Sequence, residues 1–86
     1  MEITEISVTI REEDKLKAFV NITFDGEFVI RGLKIIRGVS RYFISMPSRR
    51  MPDGTFRDIA HPIKIEFREK LEKQILDEYF RIIGKK

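Results

Sequence analysis

The sequence predicts an α+β domain: a twisted antiparallel β-sheet of about four to five strands, one C-terminal α-helix across it, and an arginine-bearing hairpin. Three observations carry that expectation. Leu16, Ala18, Val20, Ile22 and Phe24 alternate strictly with other, mostly polar residues, the period of a half-buried strand. Asp25-Gly26 follows at once and is a two-residue hairpin signal. Beyond Pro62 the apolar residues recur at three- and four-residue spacing, which puts them on one face of a helix.

Taken in order, Ile6, Val8 and Ile10 alternate with Ser7 and Thr9 as a short half-buried strand. Glu12-Glu13-Asp14 is a polar turn. In the strand that follows, only Phe19 breaks the polar face. The return strand spans Glu27 to Ile36, and its apolar phase shifts from Phe28 and Ile30 to Leu33 and Ile35. Gly32 sits at the shift, the position of a β-bulge. Arg37-Gly38-Val39-Ser40 turns the chain into Tyr42, Ile44 and Met46. The helix carries Phe67, Leu71, Ile75, Leu76, Tyr79, Ile82 and Ile83 over about five turns. Gly84 can end it, and Lys85 and Lys86 suit its negative terminus. The apolar stripe is read as core, with a partner-binding helix as the alternative.

Composition narrows the function. A chain of 86 residues is one small domain, residues 1–86, near the size where a lone core stabilises only marginally. Dimerisation is an ordinary remedy. There is no cysteine, which removes disulfides and thiolate metal sites. The opening Met-Glu-Ile-Thr-Glu lacks the apolar run of a signal peptide, and no stretch has the length of a membrane span. A soluble, cytoplasmic protein without membrane association is expected.

The net charge is only +3, but its distribution is uneven. Residues 1–27 hold seven acids against three bases. From Phe28 to Pro52 there is no acid, while Arg31, Lys34, Arg37, Arg41, Arg49 and Arg50 all lie there. A basic band of this kind is the footprint of a polyanion partner. It is equally the pattern of a solvated face whose charges meet acids from elsewhere in the fold.

The segment from Tyr42 to Pro62 holds all three prolines and the single histidine, and it follows no amphipathic period. Within it, Met51-Pro52-Asp53-Gly54-Thr55 suits a type I turn with a glycine bulge. That turn sets a register in which Met51 faces Thr55, Arg50 faces Phe56 and Arg49 faces Arg57. Arg49 and Arg57 then stand together, an unfavourable pairing unless something such as a phosphate neutralises it. Arg50 lies on the other face with Phe56, within diagonal reach of Asp58, where a structural ion pair is the expectation. His61 has no set of partner ligands for a metal, and its spacing to Asp58 and Ser48 does not support a nucleophilic triad. Asp58 and His61 are read instead as bonding local backbone ahead of Pro62. No phosphate-binding or dinucleotide glycine pattern is present. Neither an enzyme nor a cofactor or small-molecule substrate is expected.

Two words, FDGEFVI at Phe24 to Ile30 and MPSRRMPDGTFRDIAHPI at Met46 to Ile63, resemble the signature of the stage V sporulation protein G (SpoVG) family. Weaker similarity extends over nearly the whole chain. The resemblance implies septation- or sporulation-related gene regulation, site-selective DNA binding with RNA as a further target, and dimers built on a β-sheet. It implies that the paired basic residues after Met-Pro-Ser, here Arg49 and Arg50, contact nucleic acid. Gly32 and Arg37 depart from the family pattern, which often has acidic or polar residues there, and the helix start lacks the usual capping Asn or Ser. The expected nucleic-acid-binding set is therefore Arg49, Arg50, Arg57, Arg41, Arg37 and Lys34. The competing reading is a protein–protein adaptor in cell-division control, using the basic band against an acidic partner.

Overall fold

The computed structural model describes residues 1–84. Its chain runs β1 (Ile3–Ile10), β2 (Leu16–Phe24), β3 (Phe28–Arg37), β4 (Tyr42–Ser45), β5 (Ser48–Arg50), β6 (Phe56–Asp58) and α1 (Ile65–Ile83). The first four strands form one antiparallel sheet in the order β1-β2-β3-β4, and β5 and β6 form a separate pair. The α+β class with one C-terminal helix is the architecture expected.

Alternation builds the two faces. Val8, Val20 and Leu33 stand in one row across three strands, as do Ile10, Ala18, Ile35 and Ile44 across four. These rows face α1, which contributes Leu71, Ile75 and Tyr79 to the buried core. Each such large side chain, fully buried, is worth about 1.5–3 kcal/mol. Phe24 meets Phe67 at 6.1 Å between ring centroids, and Tyr42 meets Phe80 edge-on at 5.3 Å. The helix thus runs antiparallel to β2, from the end of that strand to its beginning. The stripe is core, although Ile82 stays 43% exposed and Phe80, outside the expected stripe, also packs against the core.

The bulge falls where the phase shift put it. Val20 pairs with Leu33 but Ile22 pairs with Ile30, so Arg31 and Gly32 together oppose Asn21. Gly32 has φ +86°, and its N–H donates to the Asn21 side-chain oxygen at 3.3 Å. A left-handed backbone of this kind favours glycine.

The Asp25-Gly26 turn differs in register from a two-residue hairpin. Both residues have positive φ and Glu27 N–H donates to Phe24 O, as a tight turn requires. The strands nevertheless pair Phe24 with Phe28, leaving three residues in the loop. The turn's polar groups are engaged by β1 and the residue before it: Asp25 N–H donates to Glu2 O and Gly26 N–H donates to the Thr4 hydroxyl. β1 accordingly begins at Ile3, earlier than its alternation suggests.

At the helix ends, Lys64 is the N-cap and makes no side-chain capping bond, while Gly84 closes the C-terminus in the left-handed conformation. The expected contribution of Lys85 and Lys86 lies outside the described residues. Among the described residues no helix is long and apolar enough to cross a membrane.

Candidate nucleic-acid interface

The arginine hairpin is built from its turn outward. Met51 N–H donates to Thr55 O at 2.7 Å and Gly54 N–H donates to Met51 O at 2.9 Å. Gly54 takes φ +91°. The Asp53 carboxylate accepts from both the hydroxyl and the N–H of Thr55, and these bonds hold its pKa below the usual carboxylate value, the hydroxyl contributing most. Backbone and side-chain bonds together make a stiff tip. At the root, Ile59 N–H donates to Pro47 O at 2.7 Å.

The register is the one the turn implies: Arg49 opposes Arg57 and Arg50 opposes Phe56. Every residue of both arms is exposed. Ser48 opposes Asp58, so Arg50 and Asp58 share a face on the diagonal, yet they form no ion pair. The ion pairs of the described residues are Arg11–Glu13, Arg68–Glu72, Lys73–Asp77 and Arg81–Glu78. None involves Arg49, Arg50, Arg57, Arg31, Lys34, Arg37 or Arg41. The solvated-face alternative requires such partners.

The other expected residues are not gathered at the hairpin. Lys34 pairs with Phe19 and Ser45 on the sheet face away from α1, in the middle of β3. Arg37 pairs with Tyr42 at the strand's end, and Arg41 lies in the turn whose Gly38 N–H donates to Arg41 O. A side chain at Gly32 would touch Pro47 at 3.9 Å, which places the hairpin root beside the β3 bulge. From Gly32 to Arg37 is about 16 Å of strand at 3.3 Å per residue. Along β3 the acid-free stretch thus spreads end to end, with the hairpin root first, Lys34 midway, and Arg37 and Arg41 last. It does not lie on one face: Arg37 pairs with Tyr42, whose ring packs on Phe80 of α1.

His61 donates from Nδ1 to Pro62 O at 3.0 Å, the local bond expected of it. No side-chain bond of Asp58 accompanies it among the described residues. No group of metal-ligating side chains converges among the described residues.

Two concavities have no counterpart in the sequence expectations. An apolar groove of about 620 Å³ lies between the sheet and the start of α1, lined among others by Phe24, Ile30, Met46, Ile59, Ile63 and Phe67. Its sequence signal is the set of apolar residues Ile59, Ala60 and Ile63 flanking His61-Pro62, more than a hairpin exit needs. A second hollow of about 430 Å³ is formed by Asp14, Lys15, Ile36, Arg37, Gly38, Val39 and Phe43.

Comparison with known proteins bears on this geometry. The SpoVG family model matches residues 1–81. A protein from an Anaeromyxobacter species named "Putative septation protein SpoVG" is 54% identical, over 99% of this chain and 88% of its own length. Proteins of the same name from Clostridium kluyveri and Clostridium novyi are each 52% identical, over 95% and 92% of this chain and 86% and 80% of their own lengths. With a family match over nearly the whole length and relatives this similar, the chain belongs to the SpoVG family.

Proposed function

We propose that this chain is a homodimeric nucleic-acid-binding regulatory protein with a septation- or sporulation-related role, taking DNA and, as a further target, RNA. The observation that carries the reading is the Arg49–Arg57 pair: two like charges directly opposed on an exposed hairpin, with no ion-pair partner among the described residues. Phosphate oxygens neutralise such a pair, and Arg presents its donors to them as a fork. Lys34, Arg37 and Arg41 add further positive charge along β3 and the turn after it. The relatives' name supports the septation part.

Pairing of two copies is supported by the small core and by the uncovered edges of β1 and β4. Around the apolar groove, Phe28, Ile59, Ile63 and Ile65 are 62, 67, 90 and 72% exposed, an apolar surface that a second copy would cover. Two copies present the hairpin twice, which tightens binding without any new kind of interaction.

The test is a titration of the protein against duplex DNA, RNA and heparin at two salt concentrations, with light scattering on the same sample. Steep salt dependence with nucleic acid is expected, together with a dimer at micromolar concentration. Capture of one acidic protein with no nucleic-acid binding would replace this reading with the adaptor. A monomer at that concentration would remove the dimer from it.

A further inference from the structure

The sheet face away from α1 carries two aromatic rings, and they differ in what covers them. Phe19 pairs with Lys34 and lies under the Arg11 guanidinium, 5.7 Å from the ring centroid, so one of its faces is already occupied. Phe43 pairs with Ile36 on the same sheet face and remains 40% exposed. Its ring forms a wall of the 430 Å³ hollow, with Ile36 and Val39 as the other apolar residues and Lys15 and Arg37 as the cationic ones. That volume is in the range of small-ligand sites, about 300–1,000 Å³.

The hollow is held in shape by backbone. Arg37 N–H donates to Lys15 O at 2.8 Å and Gly38 N–H donates to Arg41 O at 2.8 Å. A Cβ on Gly38 would meet the Phe43 ring at 3.4 Å, so the turn lies directly against the ring. Asp14 is the one acid in the lining. An exocyclic base amine is a donor that a carboxylate there can accept.

We infer that this hollow is a nucleotide subsite for single-stranded nucleic acid, in which one unpaired base stacks on Phe43 while its phosphate is held by Lys15 and Arg37. A base in a duplex cannot reach a ring on a sheet face, because both of its own faces are stacked. A single strand offers free faces, and an aromatic beside cations is the common platform for it. The position adds to the case: Phe43 lies on the sheet face of Lys34, beside the turn from Arg37 to Arg41 and away from the hairpin. A strand whose backbone runs from the hairpin root past Lys34, which shares the sheet face of Phe43, reaches the hollow at the far end of β3. The inference rests on the nucleic-acid reading above and specifies which form of nucleic acid the far end of β3 takes.

The experiment is fluorescence anisotropy with two labelled probes, a mixed-sequence single-stranded oligonucleotide and a duplex of the same sequence. The proteins are the parent, Phe43→Leu, Phe43→Tyr and Arg49→Ala. Phe43→Leu is expected to weaken single-strand binding about 5- to 150-fold, the loss typical of one stacked base, and to leave duplex binding at the parental value. Phe43→Tyr, which keeps the ring, is expected to bind the single strand like the parent. Arg49→Ala is expected to weaken both probes. Equal loss on both probes with Phe43→Leu, or no loss on the single strand, overturns the subsite. A parent that binds duplex but not single strand also overturns it, while the proposed function stands. A parent that binds neither probe overturns both.

Discussion

Arg49 and Arg57 oppose each other across the β5–β6 ladder, exposed, and neither belongs to an ion pair of the described residues. Removing one should therefore separate charge from fold. Arg49→Ala is expected to melt at the parental temperature or slightly above, because it deletes repulsion and little buried surface. Its binding should weaken across all sequences, with the salt slope shallower by about 0.9 for each phosphate no longer neutralised. Parental binding by Arg49→Ala and Arg57→Ala alike would move the interface off the hairpin to Lys34, Arg37 and Arg41.

Arg50 gives a contrasting case. The ladder places it on the face opposite to Arg49, beside Phe56, with no ion pair to Asp58. Arg50→Ala should consequently cost no stability, as surface substitutions generally change it by less than about 0.5 kcal/mol. A clear drop in denaturation midpoint would indicate that the Asp58 pair forms in solution.

Gly54 tests the turn. Its φ of +91° is disfavoured for any side chain, while a Cβ there has open space around it. The cost of Gly54→Val is thus backbone strain alone, about 1 kcal/mol or more, and it falls on the hairpin. Amide exchange should accelerate at Met51 and Gly54 while α1 keeps its protection. Unchanged exchange at those two amides would falsify the left-handed turn.

Tyr79 supplies a pH signature. The residue is 1% exposed and its hydroxyl donates to Glu12 Oε1 at 3.0 Å. Burial first, then the bond to Glu12, raises its pKa from 10.0 to about 12. The folded state keeps this proton where the unfolded chain releases it, so the unfolded state gains as pH rises. The contribution is complete below pH 10 and is lost between about 10 and 12. Tyr79→Phe should be less stable at neutral pH by about 1 kcal/mol and should lack this part of the alkaline decline. Parallel pH–stability curves for the two proteins would count against the buried hydroxyl bond.

Ile75 and Ile82 sit on the same sequence stripe but not in the same environment, at 0% and 43% exposed. Ile75→Ala should lower unfolding free energy by about 2–5 kcal/mol in urea titrations. Ile82→Ala should cost only about 0.5 kcal/mol. Comparable losses at both positions would mean that α1 is rotated from this placement.

The elements that the sequence determined by itself are those whose cause is local. Alternation in Leu16–Phe24, the phase break at Gly32, the Pro-Asp-Gly turn and the three-four spacing after Pro62 each lie within a few residues of the structure they specify. Backbone sterics and side-chain direction act at that range, and so the Arg49–Arg57 register is legible from the turn residues alone. Tertiary structure alone decided what depends on strand order and helix path. It separated Arg37 and Arg41 from the hairpin along β3, joined Glu12 to Tyr79 across 67 residues, and left Phe43 half-open beside Lys15 and Arg37 while Arg11 covered Phe19. It also converted an apparent two-residue hairpin at Asp25-Gly26 into a three-residue loop, with the start of the chain bonded to its polar groups. These have no local signature where they join residues distant in sequence, as Glu12 with Tyr79, Thr4 with Gly26 and Lys15 with Phe43 do, because a residue's own neighbours carry no information about which distant surface arrives beside it.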